Sequence, residues 1–246
     1  MDEVDAIVTF RSFTTTFTDF LCVAIHTILY ERSIYPETSF LSARKYNFAV
    51  RQNRHPRVCA YVLDAVAAVE AELLKGSVDR VVVVIYDKHD TPLERFVFDV
   101  SFFPYVPPEH QATPLRQAQA QQDEGVFILP LVDLQEQLRA TMVKLTTCSS
   151  RLRPLPPNSE CTFAVAIELK EDSREPPVGH PQPWIPVQPR LGKGKEKEKA
   201  MDTSAANDAQ ARTVPLRAVE AGYMVFESWI EEAKAKFDTP VSSAED

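Results

Sequence analysis

The chain has 246 residues, 44% of them hydrophobic, and 35 acidic against 27 basic side chains leave a formal net charge of −8. That supplies one well-buried core with some tail to spare, and an acidic surface repels phosphate, which argues against broad nucleic-acid binding. Cys22, Cys59, Cys148 and Cys161 stand apart in apolar runs with no CxxC pair, so they read as reduced, buried thiols of an intracellular protein.

The elements follow in chain order. Phe10, Phe13, Phe17, Phe20, Ala24 and Ile28 recur at steps of three and four and predict a helix. Leu21, Cys22, Val23, Ile25 and Leu29 fill much of the remaining circumference, as in a central buried helix, and Pro36 stops it. Tyr46 to Val50 predicts a short edge strand. A second helix is expected from Pro56 to Lys75, with Val58, Tyr61, Val62, Ala65, Val69 and Leu73 inward and Gly76 at its C-terminal cap. Val81 to Tyr86 is apolar without alternation, a strand buried on both faces. Asp87 to Pro92 makes a polar turn, and Phe96, Phe98 and Val100 then alternate with Val97 and Asp99 as a hairpin partner.

Pro104 to Gln122, rich in Pro, Gln and Ala, predicts a surface loop. A third helix is expected from about Leu131 to Leu152, with Leu131, Leu134, Leu138, Met142 and Leu145 on one stripe. Cys161 to Leu169 alternates as a one-sided strand. Composition shifts at Asp172 to prolines, a lysine–glutamate run and small polar residues, and about 190–212 predicts disorder. Apolar residues return from Val214 to Val219 and from Tyr223 to Ile230. A segment of that kind beyond a linker must dock, and the edge of the same sheet is the expected place. Three helices on a mostly antiparallel sheet make an α+β layer fold.

Motifs for catalysis are missing. The six glycines form no GxGxxG, and GKGKEKEK from Gly192 lacks the phosphate-loop spacing; it reads as a solvated linker, with a nuclear-import signal as the alternative. The five histidines have no metal-ligand spacing, and His26 reads as a hydrogen-bonded core histidine. Asp87 and Asp90 suit turn geometry; an acid–base role for them with His89 is the enzymatic alternative. No catalytic residue, cofactor or metal is expected. Arg44, Lys45, Arg51, Arg54, His55 and Arg57 form the one basic cluster, either a solvated strand edge and helix start or a weak contact for DNA or an acidic peptide. Direct DNA binding is expected to be weak or absent. No run spans a membrane and no signal peptide is visible, which points to the cytoplasm or nucleus.

VAIHTILYERSIYP (23–36), RKYNFAV (44–50), the hairpin around Val81–Val100, PPNSECTFAV (156–165) and PWIPV (183–187) together resemble the HORMA-domain family. Within it they are most similar to the branch of accessory subunits of translesion DNA polymerase zeta, relatives of the spindle-checkpoint HORMA protein. The resemblance runs from Phe13 to Ile230 and lapses in loops 101–130 and 190–212. It implies one HORMA domain over 1–237, with a core at 8–171, a mobile safety belt at 172–237 and a flexible tail at 238–246. It also implies a non-catalytic adaptor whose belt closes over a partner peptide lying as an added strand. That peptide would come from the catalytic subunit of DNA polymerase zeta and would meet Tyr61, Trp184, Thr213 and Pro215; Thr213 stands where the family has a leucine. Glu227 and Trp229, in place of a glutamine and a tyrosine, would meet the deoxycytidyl-transferase translesion polymerase. Arg139 would serve self-association, as a homodimer or a HORMA heterodimer. An AAA+ ATPase remodeller completes the implied partners, and the nucleus, alongside the cytoplasm, is the implied compartment. The alternative within the family is a spindle-checkpoint or meiotic adaptor.

Overall fold

The computed structural model describes residues 9–113, 131–156, 160–171, 212–221 and 224–238. Helix α1 (Phe10–Glu31) runs through the centre. Thr9 and Ser12 close a capping box at its start, each hydroxyl accepting the other's backbone N–H at 3.0 and 2.9 Å. Every residue of the predicted stripe is buried, and so are Leu21, Ile25 and Leu29. Phe17 meets Phe103 and Phe226 edge-on with ring centres 5.5 and 5.1 Å apart, and Phe20 meets Phe98 at 6.0 Å. The helix is long and apolar enough to cross a bilayer, but its position in the core accounts for that composition.

The expected strand from Tyr46 is displaced. Strands β1 (Phe40–Lys45) and β2 (Phe48–Asn53) form a separate antiparallel hairpin. Tyr46 and Asn47 are its two-residue turn, both at positive φ (51° and 53°), which fits the primed turn that tight hairpins require. The partner strand β1 was hidden because its burial does not alternate. Helix α2 (Pro56–Leu74) ends as expected, with Gly76 at φ 71°. Its inward stripe is Val58, Val62, Val66, Val69 and Leu73, while Tyr61 is 42% exposed rather than inward.

Five strands form the main sheet: β3 (Val78–Tyr86), β4 (Pro92–Asp99), β5 (Thr162–Leu169), β6 (Arg212–Ala221) and β7 (Met224–Glu232). Their order is β5-β3-β4-β7-β6 and every described pairing is antiparallel. One face carries Val81, Val83, Ile85, Phe96 and Phe98 into the core with the helices. On the other face Val82, Val84 and Val97 are also buried, packed with Tyr86, Ala166 and Trp229. Beside them on this face, Arg80 pairs with Asp99 and Glu168, and Arg95 with Glu168 and Glu231. Long charged side chains cover apolar surface with their stems, so β3 reads as buried on both faces although its second face packs, among the described residues, only on side chains of the sheet itself.

Helix α3 (Leu131–Thr146) buries Leu134, Leu138, Met142 and Leu145 but stops short of the expected Leu152. Thr147 and Ser150 donate their hydroxyls to Val143 O and Thr147 O, and the chain tightens into a 3-10 turn at Cys148–Ser150. Cys148 is buried, its thiol pushed up to about 12 by burial. Cys22, Cys59 and Cys161 are only half-buried, less than their apolar neighbours suggested.

The C-terminal segment docks on the sheet edge through β7, which pairs with β4. Behind that pairing lies a buried charge cluster. Arg32 grips Glu94 with two donors at 2.8 and 2.6 Å. Lys236, from the short helix α4 (Ala235–Asp238), reaches both Glu94 and Glu232. Glu232 also accepts the Arg153 N–H at 2.9 Å, and Arg32 donates to Arg153 O at 2.8 Å. Two positive and two negative groups balance, and each is buried. Removing one member strands charge out of water, so Glu94→Ala should cost about 3–5 kcal/mol by urea unfolding, far more than a surface glutamate.

His26 departs from expectation. It is buried, but its Nδ1 has no hydrogen-bond partner. Burial holds the imidazole below its ordinary value. The unfolded chain therefore takes up a proton that the folded chain refuses. This contribution is whole above the unfolded value of about 6.5 and is lost as pH falls below it. Urea midpoints measured from about pH 7.5 to about pH 5.5 should decline, and His26→Leu should flatten that decline.

Candidate functional site

Strand β5 is the outer strand on one side of the sheet, and among the described residues nothing pairs with its far edge. Antiparallel residues alternate between bonding their neighbour and pointing outward. The Val165 N–H points outward, where the Tyr61 hydroxyl accepts it at 3.4 Å. Phe163 and Ile167 share that phase, so among the described residues the edge offers a short ladder of donors and acceptors that no strand takes up.

An aromatic platform stands beside this ladder. Phe163 meets Tyr61 edge-on at 5.3 Å and Tyr35 at 6.4 Å. Together with Pro36 and Val58 these rings line a cleft of about 620 Å³. Ser39, Asn53, His55, Arg57 and Thr162 supply its polar wall. The cleft is assembled from the α1–β1 connection, the start of α2 and the start of β5. Of these residues the sequence singled out Tyr61 as a peptide contact and His55 and Arg57 as members of the basic cluster. Tyr35 lies in a loop and Phe163 reads as an ordinary strand residue, so neither shows a local pattern. Trp184 lies outside the described residues, as do PWIPV, the 190–211 segment and the 239–246 tail.

Thr213 and Pro215 are not beside Tyr61. They sit on β6, at the opposite side of the sheet, where Pro215 lies across from Trp229 and Thr213 from Glu231. On β7 the residues Phe226, Ser228, Ile230 and Glu232 are buried, while Glu227 and Trp229 occupy the opposite face. The structure thus gathers Thr213, Pro215, Glu227 and Trp229 on one outer surface. Trp229 is fixed there: its Nε1 donates to Glu231 at 2.8 Å, and the Arg80 guanidinium lies 5.7 Å above its ring. Arg139 sits elsewhere, part-exposed on α3 and paired with Glu136. Val132 and Val143, both exposed, lie on the same helical stripe, each four residues from the nearer member of that pair.

Two other sequence features resolve plainly. The Asp87 carboxylate accepts the N–H of Thr91 and of His89, each at 2.8 Å, and these bonds hold it below the usual carboxylate range. It shapes the turn. Half of the basic cluster is engaged locally: Arg44 with Asn47, Lys45 with Asp19, and Arg51 with Ser42 and the Tyr30 ring. Among the described residues no His, Cys, Asp and Glu group has the arrangement of a metal site.

A family model of the HORMA domain matches residues 14–223. The chain belongs to the HORMA domain family. It is 33% identical over 223 residues to the "DNA polymerase zeta processivity subunit" of Schizosaccharomyces pombe, covering 88% of this chain and 91% of that protein. It is 29% identical to the "Mitotic spindle assembly checkpoint protein MAD2B" of Danio rerio, over 89% and 90% of the two chains. Among solved structures, a chain of the mitotic checkpoint complex superposes with a TM-score of 0.64 at 18% identity, covering 93% of this chain and 98% of that one. HTP-1 of C. elegans, solved bound to the HIM-3 closure motif, gives 0.56 at 14% identity and 92% coverage of both. This HORMA domain therefore has the fold of those two.

Tyr61 is held by one ring contact and one long hydrogen bond at the surface. Tyr61→Ala should lower unfolding stability by no more than about 0.5–1.5 kcal/mol, the worth of an aromatic pair, in a urea titration.

Proposed function

We propose that this HORMA protein is a non-catalytic adaptor subunit of translesion DNA polymerase zeta, acting in DNA damage tolerance in the nucleus, with the cytoplasm as a second compartment. The observation that carries the reading is the β5 edge, which no other described strand pairs, beside the cleft of Tyr35, Tyr61 and Phe163. A strand added to an edge gains backbone hydrogen bonds, and alternate side chains enter pockets. Stacked aromatic rings suit a proline-containing segment of the polymerase's catalytic subunit. Residues 172–237 act as a safety belt over that peptide, with Trp184 as an aromatic anchor. Connectivity supports this: the chain leaves the sheet at β5 and re-enters at β6, the opposite side. A belt that must open before the ligand leaves slows dissociation.

The second partner, the deoxycytidyl-transferase polymerase, docks on the β6–β7 face through Glu227 and Trp229, with Thr213 and Pro215 beside them. Thr213 and Pro215 were expected to touch the peptide; their position on β6 favours the second partner instead. Self-association uses the α3 stripe of Val132, Arg139 and Val143, and an AAA+ remodeller opens the belt. The names of the relatives keep one alternative, a spindle-checkpoint or meiotic adaptor with a different ligand peptide.

Calorimetry with a proline-containing peptide of the catalytic subunit tests the reading. Tyr61→Ala and Trp184→Ala should each weaken that peptide by about tenfold or more and spare the second polymerase; Trp229→Ala should do the reverse. Failure of the folded wild-type chain to bind the peptide would transfer the reading to the checkpoint or meiotic branch.

A further inference from the structure

The cleft beside β5 has an electrostatic bias opposite to that of the whole chain. The chain carries a net charge of −8, yet among the described residues no carboxylate lines the cleft, and its basic lining is Arg57 with His55. Arg54 adjoins these residues in sequence, and all three are exposed. The arginines that form salt bridges lie elsewhere: Arg32, Arg80, Arg95, Arg139 and Arg212. Among the described residues no carboxylate pairs with Arg54 or Arg57, and the first turn of α2 has no acidic residue. The other half of the basic cluster is tied to its own neighbours. Among the described residues the Arg57 guanidinium is thus left without counter-charge in the wall of an apolar slot, and Arg54 precedes it by three residues in the chain.

We propose that this cleft selects a peptide carrying an acidic side chain, Asp or Glu, two residues from the apolar residue that enters among Tyr35, Tyr61 and Phe163. The inference rests on the peptide-binding reading above and names the ligand chemistry that reading leaves open. In an added strand, residues two apart share a face. A residue seated against Phe163 at the start of β5 therefore brings its next same-face neighbour toward the start of α2, where Arg57 lines the cleft. A carboxylate there meets Arg57 in the forked geometry that guanidinium favours. A free β edge beside the rings favours a peptide over a single-stranded nucleic acid, whose phosphates the acidic remainder of the surface repels. The contact is solvent-exposed, so it contributes selectivity more than affinity and weakens with salt.

The test uses the full chain and a fluorescent form of the catalytic-subunit peptide, with Asp, Asn or Lys placed two residues on either side of its proline. On one side, affinity should fall from Asp to Asn to Lys by roughly three- to tenfold in total, and the spread should shrink in high salt. Arg57→Glu, a change at an exposed first-turn position where a helix accepts acid readily, should reverse the order. Equal affinities for all three peptides at both positions would overturn the inference and leave the peptide site standing. No binding by any peptide would overturn the functional reading and the inference with it. Displacement of the bound peptide by a thymidine oligonucleotide would make the arginines a nucleic-acid contact and also overturn it.

Discussion

The pairing of β7 with β4, clamped by the charge cluster of Arg32, Glu94, Glu232 and Lys236, is the constraint on which the rest of this structure depends. Its four members come from the end of α1, from β4, from β7 and from α4. One contact therefore ties the first helix to the last strands. Buried ion pairs contribute little net stability because desolvation offsets the attraction. Their value is geometric: a charge out of water tolerates few arrangements, so β7 is held to one edge and one register. The aromatic contact of Phe17 with Phe226 fills the core beneath the same junction.

Once the C-terminal hairpin occupies the β4 side, the opposite edge of the sheet is decided. β5 becomes an outer strand whose outward N–H and C=O groups need partners. Natural proteins blunt such edges, and here the Tyr61 hydroxyl meets one of the donors. The aromatic cleft and Arg57 stand beside that edge, while Trp229 and Glu227 stand on the outer face of β6–β7. The α3 stripe lies apart from both. The cleft, the β6–β7 face and the α3 stripe are three separate surfaces of one domain.

Much of this was legible in the sequence. The stripe from Phe10 to Ile28, the run Val81–Tyr86, the alternation through Val165 and the return of order near Val214 each name an element, because burial imposes a period of 3.6 or 2 on neighbouring residues. The β1–β2 hairpin escaped since its side chains do not alternate in burial, and Tyr46 gives no hint of the positive φ that the turn demands. The end of α3 escaped because threonine and serine hydroxyls bonding their own backbone compete with the helix, an effect that apolar periodicity does not register.

The sequence by itself determined the α+β class, the principal helices and strands, the lack of catalytic motifs and, through ordered resemblances, the family. Strand order, and with it which edge stays free, was decided only in three dimensions, because β7 reaches β4 from more than a hundred residues away along the chain and the sequence carries no local mark of which edge it will take. The same holds for the site. Tyr35, Tyr61 and Phe163 come from three separate segments, and Thr213 and Pro215 fall beside Trp229 instead of Tyr61. Local sequence records what each residue prefers to bury; the packing of distant segments chooses which residues are left together at the surface.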